Sequence, residues 1–145
     1  MNVTETWFRA GVVLILILVL FSGCGDTSVG DDPNNQEPDD SLPTENLSFS
    51  NHIQPILNNS CTSCHGAQGL SGVSLTSYNN VINSTGDCYQ TLIVIPDEPG
   101  ESPIVEKIVS NNPECGERMP VGGPFLSNAQ VQAIQTWIQE GAEDN

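Results

Sequence analysis

The sequence predicts a small all-α domain, and three observations lead there. Apolar residues recur at helical spacing in two stretches, Phe49 to Leu57 and Val131 to Ile138. The only run that reads as a strand, Leu92 to Ile95, has no second strand to pair with. Between the two helical stripes lies Cys61-Thr62-Ser63-Cys64-His65-Gly66, two cysteines separated by two residues with a histidine directly after the second.

That last pattern is the attachment signature of a c-type haem. Each thiol adds across one vinyl group of the porphyrin, and two intervening residues let one turn of backbone span the vinyl-to-vinyl distance. The next residue then lies under the iron and offers an imidazole nitrogen. The domain is therefore expected to form around one covalently bound haem c, with Cys61 and Cys64 as attachment points and His65 as an axial ligand.

Residues 10–21, AGVVLILILVLF, form an apolar run after a short segment that contains Arg9. The run is too short to span a bilayer comfortably and suits a signal-peptide core. Phe21-Ser22-Gly23-Cys24 follows and resembles a bacterial lipobox, which implies a signal peptide of residues 1–23 and a lipidated Cys24. Phe21 stands where that motif usually has Leu. A simple secretory signal or an uncleaved anchor is the alternative; each implies export, where haem attachment and disulfides both occur.

From Gly25 to Asn46 the chain holds seven acids, no base and only two apolar residues, Val29 and Leu42. Such a composition cannot bury enough surface to fold, so residues 24–46 are expected to be a lipidated cysteine plus a disordered acidic tether. Fully extended it would reach about 70 Å; as a flexible coil it would average about 25 Å.

The folded domain is expected over residues 47–145. Phe49, Ile53, Ile56 and Leu57 form one face of a first helix, with Ser50 or Asn51 as its cap and Pro55 in its first turn. His52, the only histidine besides His65, is expected to be exposed or near the haem edge and is the alternative axial ligand. The Gly/Ser-rich loop 66–77 can wrap the haem through Leu70, Val73 and Leu75, and Tyr78 to Asn83 suit a short helix. Leu92 to Ile95 are expected as an extended segment packed on the haem. Ser102-Pro103 reads as cap and first helical position of a helix to about Ser110, with Ile104, Val105, Ile108 and Val109 inward.

Met119 is the only methionine besides Met1 and lies in the loop Arg118-Met119-Pro120. With a haem already fixed by His65, its thioether is expected as the sixth ligand, which raises the reduction potential and fills both axial positions. The last helix is the plainest: Ser127 and Gln130 form a capping box, Val131, Ile134, Trp137 and Ile138 form a stripe, and Gly141 ends it. Trp137 is expected in the core against the first helix.

The five cysteines divide by role into Cys24 for lipid, Cys61 and Cys64 for haem, and an even pair, Cys88 and Cys115, expected as a disulfide. A zinc site drawing on Cys61, Cys64, Cys88 and Cys115, or a redox dithiol at Cys61 and Cys64, are the rival uses.

The region from about Phe49 to Gly141 resembles the class I cytochrome c family, above all the small domains of bacterial exported proteins and lipoproteins. Ile53-Gln54-Pro55-Ile56-Leu57 before the Cys61–Gly66 motif, Leu75-Thr76-Ser77-Tyr78, Ser102-Pro103, Arg118-Met119-Pro120 and Leu126-Ser127 carry the resemblance. It implies a cytochrome c-like helical domain around one haem, with Cys61 and Cys64 covalently bound and His65 and Met119 axial.

Formal net charge is −15, and the only strong bases are Arg9, Lys107 and Arg118. Nucleic acid and anionic lipid surfaces need clustered bases and are disfavoured as partners; the membrane is expected to be met through the lipid anchor only. The expected function is a monohaem electron carrier, not an enzyme, lipid-anchored to a bacterial membrane and facing the periplasm. Its expected partner is a redox protein with a basic patch. The alternative is a haem-based sensor in which Met119 leaves the iron.

Overall fold

The computed structural model describes residues 42–145; the predicted signal segment, Cys24 and the predicted tether up to residue 41 lie outside the described residues. The chain enters through a π-helical turn, Phe49–Ile53, that runs straight into α1, Gln54–Ser60. Pro55 explains the wide turn. It has no N–H to offer the carbonyl of Asn51, and its ring crowds that carbonyl. The bonds therefore reach back five residues, from Ile53 N–H to Ser48 O at 3.3 Å and from Gln54 N–H to Phe49 O.

The cap also differs from the expected Ser50 or Asn51. Ser48 Oγ accepts from Asn51 N–H at 3.2 Å, and His52 Nδ1 accepts from Ser48 N–H at 2.9 Å. This is the reciprocal logic of a capping box, with an imidazole in the role usually held by Glu or Gln. The far end of the chain completes the cap: Asn145 Oδ1 accepts from Phe49 N–H at 2.9 Å, and Glu140 accepts from Asn46 N–H at 2.6 Å and Leu47 N–H at 2.8 Å. Leu42, inside the predicted tether, is half-buried against the core.

Three short helices follow: α2, Tyr78–Asn83, α3, Pro103–Val109, and α4, Asn128–Gln139. Ser77 caps α2 through its side chain, and Ser127 and Gln130 form the predicted capping box on α4. Ser102 precedes α3 without a side-chain cap bond. Its buried hydroxyl turns back instead, accepting from Ile95 N–H at 2.9 Å and donating to Glu98 O at 2.9 Å. Pro103 at the helix start removes a donor that a cap would otherwise have to satisfy. Of the α3 residues expected inward, Ile104, Val105 and Ile108 are buried, whereas Val109 is 45% exposed on the last turn. Among the described residues the only β pairing is one isolated bridge between Thr85 and Leu92.

The core gathers around Phe49, which lies between Tyr78 (centroids 5.2 Å apart, edge-on at 80°) and Trp137 (5.3 Å). Each such pair adds about 0.5–1.5 kcal/mol beyond simple burial. Trp137 is buried as expected, and its Nε1–H donates to Glu143 O at 3.0 Å while Tyr78 O–H donates to Ala142 O at 3.0 Å. These bonds satisfy the polar handles of the buried Trp137 and the half-buried Tyr78. They also fold residues 140–145 back over α4 and against the entry of the domain.

Candidate functional site

A cavity of about 300 Å³ lies among α1, α3 and α4, and its wall includes Cys61, His65, Met119, Leu57, Ile104 and Ile134. A second, of about 500 Å³, shares Cys61, His65, Leu70, Ile108, Met119 and Leu126 with it and adds Cys64 and the loop Pro120 to Pro124. Both lie in the size range of cofactor and ligand sites, about 300–1,000 Å³. Leu70, Val73, Leu75 and Ile93, expected to face a prosthetic group, all line the first cavity; Leu92 is exposed and Val94 belongs to the core.

The Cys61–His65 segment forms as the winding-down of α1. Cys61 N–H donates to Leu57 O at 2.8 Å, Cys64 N–H to Cys61 O at 3.1 Å and His65 N–H to Cys61 O at 2.9 Å. One tight turn thus carries all three candidate side chains. Cys61 is half-buried and Cys64 exposed, and both are free of disulfides. Burial, then the neighbouring Cys64, pushes the Cys61 thiol up to about 11. A reactive dithiol needs the opposite shift.

His65 Nδ1 lies 3.3 Å from Val73 O. A carbonyl only accepts, so this contact requires the proton on Nδ1 and leaves the Nε2 lone pair for a metal. The loop is held in turn by Leu75 N–H donating to His65 O at 2.9 Å. His52 lines neither cavity, and its Nδ1 is committed to the cap of the first helix.

Met119 belongs to a loop docked on the C-terminal end of α3. The last carbonyls of a helix have no partner within it, and here the loop supplies them. Met119 N–H donates to Lys107 O at 2.7 Å and Arg118 Nε–H to Ile108 O at 3.0 Å. Arg118 Nη1 reaches Asn111 Oδ1 at 2.9 Å, and its guanidinium lies 4.2 Å from the centre of the Phe125 ring. Lys107 Nζ donates to the carbonyls of both Cys115 and Glu117. Desolvation holds the Lys107 ammonium below its ordinary range.

The wall between these two regions is closely tied. Asp87 N–H donates to Ser71 O at 3.0 Å, and Ser74 N–H to Ser84 Oγ at 2.9 Å. A Cβ on Gly72 would stand 2.5 Å from Thr85 O, so this approach admits no side chain. Cys88 and Cys115, both lining the first cavity, form the expected disulfide with Cα atoms 6.1 Å apart. This bond removes two of the four thiolates that the zinc alternative requires, and no metal-binding cluster of three His, Cys, Asp or Glu occurs among the described residues. Beside it, Tyr89 O–H donates to Glu106 Oε2 at 2.6 Å and Glu114 N–H to Glu106 Oε1 at 2.7 Å. These donors hold the Glu106 carboxyl below its ordinary range, whereas burial and Glu106 push the Tyr89 phenol up.

No protein-family model, curated protein or solved structure matches the chain. Among the described residues no helix is long and apolar enough to cross a membrane.

Sequence reasoning named Val73 for its side chain but missed its backbone carbonyl as the partner of His65, and it missed the grip of Lys107 and Arg118 on the Met119 loop. A carbonyl leaves no trace in residue type. The two bases had one available signal: they are the only strong bases after residue 9, and both precede Met119, Arg118 directly.

Proposed function

We propose that the domain binds one haem c through thioether bonds to Cys61 and Cys64, with His65 and Met119 as axial ligands, and carries single electrons. The observation that carries this reading is a single apolar cavity wall shared by Cys61, His65 and Met119, with His65 anchored through Nδ1 to Val73 O. The residues fit the group. Two free thiols occupy one turn, one nitrogen is left available for iron, and a thioether stands in a loop held by five side-chain and backbone ties.

When bound, haem c supplies an iron that cycles between Fe(II) and Fe(III). The chain's own part is to hold both ligands in one geometry in either state and to keep water from the metal with Leu57, Ile104 and Ile134. The Val73 carbonyl makes the imidazole more basic and fixes its ring. The Met119 loop is tied to α3 at Lys107 and Ile108, which favours a carrier with permanent ligation over a sensor in which Met119 leaves.

The lipobox-like Phe21–Cys24 and the acidic segment after it support an exported, lipid-anchored carrier that reaches its partners on a tether. Lys107 and Arg118, the only strong bases among the described residues, are both turned onto carbonyl groups. The surface left over is acidic, and a redox partner with a basic patch suits it.

The test is a reduced-minus-oxidised absorption spectrum of the full chain, exported in a bacterial host with haem c maturation machinery, repeated for Met119→Ala. Sharp low-spin bands that are lost or shifted in the variant support His65/Met119 ligation. A colourless parent refutes the haem reading, and a coloured parent indifferent to Met119→Ala refutes the ligand assignment.

A further inference from the structure

Lys107 meets the Met119 loop at two points that have no common origin in packing. Its backbone carbonyl, one of the orphan acceptors at the end of α3, takes the Met119 N–H at 2.7 Å. Its ammonium, four methylenes away, is clasped by the carbonyls of Cys115 and Glu117, the two residues flanking Gly116. Gly116 has φ +64°, and a Cβ built there would lie 3.7 Å from Lys107 Nζ. The left-handed turn therefore brings two carbonyls together over the ammonium, and only glycine adopts it freely. Charge-assisted bonds of this kind are about twice as strong as neutral ones.

We propose that Lys107 is a positioning residue for Met119: it fixes both the start and the end of the five-residue segment Cys115 to Met119 and so holds the thioether at the cavity wall. This rests on the reading of Met119 as an axial ligand. Arg118 grips the same helix end from the other side, through Ile108 O and Asn111. Its guanidinium packs on Phe125, so it orients the following loop; of the two bases, Lys107 is the one that clasps the turn leading into Met119.

Displacement of Met119 by an outside ligand requires the loop to swing away, so affinity for added imidazole reports how firmly the loop is held. In haem-loaded full-length protein, Lys107→Met keeps the apolar stem and removes both charge-assisted bonds. Apparent imidazole affinity should rise about tenfold to a hundredfold, and the reduction potential should fall as methionine ligation weakens. Lys107→Arg, which can still reach two carbonyls, should recover most of the loss. Val81→Ala, in the buried core and outside both cavities, should lower global stability and leave imidazole affinity unchanged.

Equal rises in Lys107→Met and Val81→Ala would reduce Lys107 to a general stabilising role and overturn the proposal. So would an unchanged affinity in Lys107→Met. Hydrogen exchange at the Met119 amide in the unmutated protein gives a check independent of any variant; rapid exchange there also overturns it. A parent without covalent haem refutes the functional reading itself, which separates that failure from the failure of the Lys107 assignment.

Discussion

Replacing Cys88 and Cys115 together by alanine should cost about 3–4 kcal/mol of stability at 25 °C, the loop-closure entropy returned to the unfolded chain. The bond joins positions 27 apart, long enough for the entropy term to be substantial. Cys115 is buried, so alanine avoids leaving an unsatisfied hydroxyl where serine would. With a urea dependence of about 1–3 kcal/mol/M for a domain of this size, the midpoint should fall by about 1–4 M. The unfolded variant exposes more surface than the cross-linked chain, so the slope should rise as well. Circular dichroism during urea titration measures both quantities. Hydrogen exchange should accelerate around residues 84–95 and 111–119 before it does in α4. A midpoint shift below about 0.3 M with an unchanged slope would refute the loop-closure account and mean that the surrounding hydrogen bonds already impose the same restraint.

Phe49→Ala removes the ring between Tyr78 and Trp137 and should cost about 3–5 kcal/mol; a fall in Tm of less than about 5 °C would contradict its central place. Glu140→Ala frees the N–H groups of Asn46 and Leu47; it should cost about 1 kcal/mol and raise exchange at those two amides, leaving α3 unaffected. Glu106 is held below its ordinary carboxyl range by Tyr89 O–H and Glu114 N–H. Its contribution is therefore full above the unfolded value of about 4.3 and is lost as pH falls through the lower folded value. Tyr89→Phe should flatten that acid limb of a stability-versus-pH curve, and an unaltered limb would show that the pair contributes nothing.

Features written in short-range chemistry were legible in the sequence. Ser127 and Gln130 read as a capping box because cap and reciprocal partner are three residues apart, and the burial of Ile134, Trp137 and Ile138 follows from helical periodicity. The pairing of Cys88 with Cys115 followed from counting. The first cap was misread because Ser48 competes with Ser50 and Asn51, and what favours it is His52 nearby and Asn145 from the far end. Ser102 stands at the N-cap of α3 with Pro103 behind it, as the sequence suggests, but its hydroxyl is drawn to Ile95 and Glu98, and residue type does not reveal that choice. At the site, Cys61, His65 and Met119 share a cavity wall as motif reading suggests, whereas the bonds that orient them run through carbonyls of Val73, Lys107, Cys115 and Glu117.

The ties along the cavity wall join end to end. From His65 one passes to Val73, across the Ser71–Asp87 and Ser74–Ser84 bonds, through the Cys88–Cys115 link, and by way of Lys107 to Met119. This is an open arc from His65 to Met119, and its members bear load in series. Its stiffness is set by the weakest joint, so strain at one side chain is felt at the other without crossing the core. If the domain carries single electrons as proposed, such an arc has a direct use. When the charge at the centre changed by one unit, an arc that resists spreading would keep the nuclear rearrangement small, and electrons would then pass quickly under little driving force.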